Sequence, residues 1–180
     1  LRDRMKFFKK APETEKIVKS LNNNNDIYLV PAFTGLGAPY WDANARGVLS
    51  GITRDTSPKE IVRATIEAVA YQTFDLFEAM KHDGLRPKIV KVDGGMVMNN
   101  WFSQFLSDIV NVKVLRPKVQ ETTALGAAFM AGLQIGVYKS LKDISKNWNL
   151  DKKFSPKMKN KSRSLLIKGW EKAVKRALIN

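Results

Sequence analysis

Few residues in this chain have types and spacing suited to chemistry, and the clearest set lies between Lys88 and Asn100, KIVKVDGGMVMNN. Gly94 and Gly95 follow the short apolar, β-branched run Ile89, Val90 and Val92, and a helical pattern begins at Asn99 and Asn100. A glycine pair removes two Cβ atoms where the backbone turns, so a flat ligand can lie against the main chain at little steric cost. Asn99 or Asn100 can cap the following helix or give its amide to a ligand. Open α/β sheets bind ligands where strands end and helices begin, which makes this turn a candidate nucleotide shelf. A bare tight turn accounts for the same residues about as well.

Other reactive groups are sparse. Asp42, Asp55, Asp93 and Glu121 stand near glycines or helix starts. Each could act as a catalytic or magnesium-linked carboxylate, although turn and capping chemistry explains such positions more cheaply. The single histidine, His82, lies between Lys81 and Asp83 where a helix should end, and an exposed structural role suits it best. No cysteine, no GxSxG, no HExxH and no P-loop occurs, which leaves hydrolase and metal-centre readings with little support.

The shelf needs elements to hold it. After the glycine turn, Phe102, Phe105, Leu106 and Ile109 recur at helical spacing, and VKVLRP reads as the next strand, giving a β-α-β unit. Ser57, Pro58 and Glu60 form a capping box with proline at the first helical position, opening a helix that runs to about Lys81. Its apolar positions cover a wide arc, so it should be sandwiched between other elements. IYLVPAF reads as a strand buried on both faces, TGLGAPYWDANARG as a long irregular loop, and GVLSGIT as extended chain. ETTALGAAFMAGLQIG reads as a smooth helix ending at Gly136, its glycines offset by close approach of a neighbour or a ligand. Residues 139 to 163 look like a basic surface excursion. An amphipathic closing helix then places Leu166, Trp170, Val174 and Leu178 on one face.

Length and an apolar content of 44% suit one ordinary globular domain over residues 1–180. The chain starts at Leu1 with LRDRMKFF, which reads as the tail of a helix begun upstream, over residues 1–20. A net charge of +14 invites a nucleic-acid reading, but residues 1–20 carry +4, residues 139–180 carry +10, and residues 21–138 hold equal numbers of each sign. The charge belongs to the two ends, and no aromatic-basic motif accompanies it. A lack of cysteine fits a reducing cytoplasm.

GVLSGITRDTSPKEIVRATIE resembles the second signature of the FGGY carbohydrate kinases, with Gly47, Leu49, Gly51, Ile52, Glu60, Ile61, Ala64, Thr65, Ile66 and Glu67 at its constrained positions. Within that family VPAFTGLGAPYWD, AYQT, VDGGMVMNN, ETTALGAAFMAG and GWEKAVKRA are similar to the members that act on glycerol. The resemblance implies the C-terminal lobe of an actin-like (ribonuclease H-like) α/β ATPase, truncated at its N-terminal side, with residues 139–180 as a basic extension. It implies ATP and Mg2+ in a cleft between two lobes and transfer of the γ-phosphate to glycerol. The nucleotide contacts it carries over are Gly95 and Asn99, with Gly94 adjoining, at the adenosine end. Catalytic residues and most metal contacts would lie upstream of Leu1, none in this chain, so the chain alone should be inactive with weak nucleotide affinity. Met96 and Met98 stand where alanine is usual and should change the packing of the shelf without abolishing it. Glycerol and ATP are the implied partners, in a cytoplasmic homo-oligomer without nucleic acid or a membrane span. The competing expectations are a kinase for another substrate such as xylulose or gluconate, a basic nucleic-acid-binding module, and a non-catalytic actin-like scaffold.

Overall fold

The computed structural model describes residues 1–178 of the 180. The first helix, α1, covers only Glu13–Lys19, and residues before Pro12 form turns. The helical tail expected over residues 1–20 is therefore confined to its last part. Lys6 takes a left-handed φ of 60°, and the Glu13 carboxylate accepts the N–H groups of Lys9 and Lys10, which ties the chain into a turn rather than a helix.

Strands β1 (Tyr28–Val30) and β2 (Val48–Ser50) pair antiparallel, with Leu29 opposite Leu49. The loop between them is irregular as its composition requires. α2 (Pro58–His82) follows, and its start is decided locally. Ser57 accepts from the Lys59 N–H at 3.2 Å while the Glu60 carboxylate accepts the Ser57 N–H at 3.0 Å, so two donors that the helix leaves unpaired are satisfied. α2 buries residues on several sides of its axis, as a sandwiched helix must, and leaves Val69, Leu76 and Met80 exposed along one stripe.

The β-α-β unit forms as its pattern demands. β3 (Ile89–Lys91) leads through a 3-10 turn over Gly95–Met98 into α3 (Asn100–Val110), and β4 (Lys113–Pro117) returns parallel to β3. α4 (Thr122–Gln134) ends just before Gly136, whose φ of 80° suits the residue past a helix end. Close packing on this smooth helix occurs at Gly132, where an added Cβ would come within 2.8 Å of the Tyr138 ring; Gly126 faces open space.

Residues 139–163 are more than a surface excursion. They hold α5 (Leu141–Ser145) and β5 (Leu150–Phe154), and β5 pairs antiparallel with β4 to complete a three-stranded sheet. Only Phe154 of β5 is buried, so no alternation of apolar and polar residues announced the strand. α6 (Asn160–Ala177) closes the fold with Trp170 and Val174 in the core and Leu166 and Leu178 packed at its margin. Residues 179 and 180 of the expected closing helix lie outside the described residues.

The core is aromatic. Tyr71 of α2 stacks on Trp170 with ring centroids 5.3 Å apart and meets the edge of Phe105 at 5.6 Å. Beside it Glu67 has no exposed surface. It is paired with Arg63 at 2.7 Å and accepts from the Tyr71 hydroxyl at 3.2 Å. Among the described residues no helix is long and apolar enough to cross a membrane.

Candidate functional site

The two glycines of the turn differ in kind. Gly94 has a φ of 83°, a conformation that favours glycine, and its N–H donates to the Gln120 carbonyl at 3.3 Å. Gly95 starts the 3-10 turn without a left-handed φ, and a Cβ built on it meets nothing within 4 Å. Neither its backbone nor its neighbours demand a glycine, so the bare backbone there is available to a ligand.

Three groups hold the turn in place. The Arg116 guanidinium donates to the Val97 carbonyl at 2.7 Å and pairs with Asp151 at 2.7 Å, and the Ser103 hydroxyl donates to the same carbonyl at 2.9 Å. Arg116 is buried in β4, so the turn after β3 is tied to the neighbouring strand. Asn99 caps α3, its Oδ1 accepting from the Phe102 N–H at 3.0 Å.

Gly95 and Asn99 line a pocket of about 360 Å³, within the range of small-ligand sites. Its apolar lining comes from Phe8, Ala11 and Pro12, from Ile66 of α2, and from Met96 and Met98 of the turn. Its polar groups are Asn99, Thr14 and Glu15, the last two carried by α1. The Asn99 amide nitrogen donates to Thr14 Oγ1 at 3.4 Å, while the Thr14 hydroxyl itself donates to the Ala11 carbonyl at 2.7 Å. With its carbonyl used by the cap and one N–H used by Thr14, the Asn99 amide keeps one N–H for an acceptor on a ligand. Glu15 accepts the Asn100 N–H at 3.3 Å and pairs with Lys19 at 2.5 Å. Burial would raise the Glu15 carboxyl, but the Lys19 and Asn100 hydrogen bonds outweigh it and hold the group below the usual glutamate range.

Such a pocket can grip a flat, largely apolar group and orient it by one hydrogen bond. A larger hollow of about 460 Å³ opens beside Arg63 and Trp101, and two of its polar side chains, Arg63 and Gln104, are already engaged. Arg63 serves Glu67, the Leu21 carbonyl and the Trp101 ring, and Gln104 serves Asp108 and the Ser155 carbonyl.

The remaining sequence candidates do not gather at the shelf. Asp42 accepts the N–H groups of Asn44 and Ala45 at 2.8 and 3.0 Å, which is turn chemistry. Asp93 accepts from the Thr122 hydroxyl and so links the turn to α4. Asp55, His82 and Glu121 are exposed at helix ends or loops. Among the described residues no group of three or more acidic, histidine or cysteine side chains is placed to hold a metal ion. Thr14, Glu15 and Arg116 escaped the sequence reading, because nothing near them in the chain marks a partner at the glycine turn.

The fold is an α/β lobe of the actin-like ATPase type, and residues 3–135 match the FGGY family of carbohydrate kinases, C-terminal domain. The chain belongs to that family. It is similar to glycerol kinase 1 of Pseudomonas aeruginosa, 53% identical over 176 residues that cover 98% of this chain and 36% of that protein. It is likewise similar to the glycerol kinase of Thermoanaerobacter pseudethanolicus, 51% identical over 179 residues, 99% of this chain and 36% of that protein. In structure it resembles the glycerol kinase of Plasmodium falciparum crystallised with ADP. The TM-score is 0.85 at 37% identity, over 97% of this chain and 35% of that one. A ligand-bound xylulose kinase from Lactobacillus acidophilus also resembles it, with a TM-score of 0.75 at 25% identity, over 96% of this chain and 35% of that one. The chain thus spans about a third of the length of the curated relatives it matches.

Proposed function

We propose that a protein carrying this chain, together with the rest of a relative's length, is an ATP-dependent glycerol kinase that makes sn-glycerol 3-phosphate. This chain supplies the adenosine side of the cleft. Gly95 gives the nucleoside a bare backbone to lie on, and the remaining Asn99 N–H meets an acceptor on it. Phosphoryl transfer depends mostly on positioning and charge neutralisation, so a lobe that only grips the nucleoside still contributes to rate. Phosphates, acceptor, general base and most of the Mg2+ contacts fall to groups outside this chain.

The observation that carries the reading is Gly95: a glycine lining a pocket with no conformational or steric reason to be one. Identity to glycerol kinases, at 53% and 51% against 25% to a xylulose kinase, supports glycerol as the acceptor. Assays of the intact protein with glycerol, xylulose and gluconate test the acceptor. Faster turnover of xylulose or gluconate than of glycerol would overturn the choice. Calorimetric titration of the Gly95→Leu variant with ADP tests the shelf, with a loss of at least tenfold in affinity expected from a side chain placed where the nucleoside lies.

A further inference from the structure

The pocket is closed on one side by a helix far away in sequence, and that helix touches the one side chain assigned to orient the nucleoside. Thr14 is buried, and its Oγ1 accepts from Asn99 Nδ2 at 3.4 Å across 85 residues of chain. One residue on, Glu15 accepts the N–H of Asn100 at 3.3 Å. The Thr14 hydroxyl has given its proton to the Ala11 carbonyl, so its oxygen can only accept, and this fixes which end of the Asn99 amide faces it. The other end is fixed by the cap to Phe102. The amide is thereby held in one orientation before any ligand arrives. α1 in turn is anchored to α2, where Arg63 donates to the Leu21 carbonyl at 2.7 Å just past the helix end.

We propose that Thr14 and Glu15 are positioning residues of the nucleotide site: they pre-orient the Asn99 amide and the first turn of α3, so that the free N–H of Asn99 points at the nucleoside without rearrangement. The inference rests on the assignment of the shelf to adenosine. Thr14 and Glu15 act through Asn99 and Asn100. Pre-orientation lowers the cost of binding because the ordering is complete in the free protein.

The test is ADP affinity and the separate kinetic constants of the intact protein in four forms: wild type, Thr14→Val, Thr14→Ser and Gly95→Leu. Valine keeps the shape of threonine and removes both the acceptor for Asn99 and the donor to the Ala11 carbonyl, while serine keeps both. Thr14→Val is expected to weaken ADP binding and raise KM for ATP by roughly three- to tenfold, the scale of one neutral hydrogen bond. kcat and KM for glycerol should change less than twofold, and Thr14→Ser should restore the ATP constants. A lower melting temperature in Thr14→Val with unchanged ADP affinity would reduce the contact to a structural role and overturn the inference. If Gly95→Leu loses ADP while Thr14→Val does not, only this inference fails; if Gly95→Leu also binds ADP normally, the shelf assignment falls and takes this one with it.

Discussion

The indole nitrogen of Trp170 donates to Asp75 at 2.8 Å inside the core, joining α6 to α2 across 95 residues of chain. Burial pushes the Asp75 carboxyl up to about 6, against the hydrogen bonds from Trp170 and Tyr40, with Glu78 and Glu171 adding to the rise. A carboxyl raised in the folded state favours folding while it is protonated. Its contribution is full below its ordinary value of 3.8 and is lost as pH rises through about 6. Urea unfolding should therefore show a loss on the order of 1 to 3 kcal/mol between pH 4 and pH 7 from this group. Asp75→Asn should flatten that part of the profile, and an unchanged slope would show that Asp75 titrates normally.

The shelf glycine can be separated from the structural ones. At Gly169 an added Cβ would overlap the Tyr28 ring, and at Gly51, with φ of 89°, it would run into the Asp26 carbonyl. Alanine at either position should cost roughly 1 to 3 kcal/mol in chemical denaturation. Gly95→Ala should leave stability within about 0.5 kcal/mol of wild type, since its Cβ meets only open space.

Asn99 does two jobs that substitution can divide. Asn99→Asp keeps an oxygen to cap Phe102 but loses the N–H donor, so helix stability should survive while ADP affinity falls by roughly tenfold or more. Asn99→Ala should lose both, with a cap cost of about 1 kcal/mol. Equal ADP affinity in wild type and Asn99→Asp would remove the amide from recognition.

The Arg63–Glu67 pair is buried, and removing one partner leaves the other charge stranded. Arg63→Met should destabilise by roughly 3 to 5 kcal/mol, and adding Glu67→Gln should recover part of that loss. A loss in the double variant equal to the sum of the losses in Arg63→Met and Glu67→Gln would show the two charges to be energetically independent.

At the start of α2, Ser57→Ala removes a cap acceptor for the Lys59 N–H. The expected cost is about 1 kcal/mol in thermal unfolding, without a change in ADP affinity.

Sequence alone determined the features that short stretches of chain record. Ser57, Pro58 and Glu60 start α2 because a cap is chemistry among four neighbours, and Trp170 and Val174 turn inward because helical spacing gathers them on one stripe. The glycine turn and the β-α-β unit around it were readable for the same reason, as was membership of the FGGY family from a long signature. Tertiary structure alone decided which partners meet. β5 carries one buried residue and exists by its hydrogen bonds to β4; Thr14 finds Asn99 and Arg116 finds Val97 only once the chain has folded. It also decided that Gly95 is bare without need while Gly94 is bare by conformation, a distinction that depends on dihedral angle and empty space and leaves no trace in two adjacent letters.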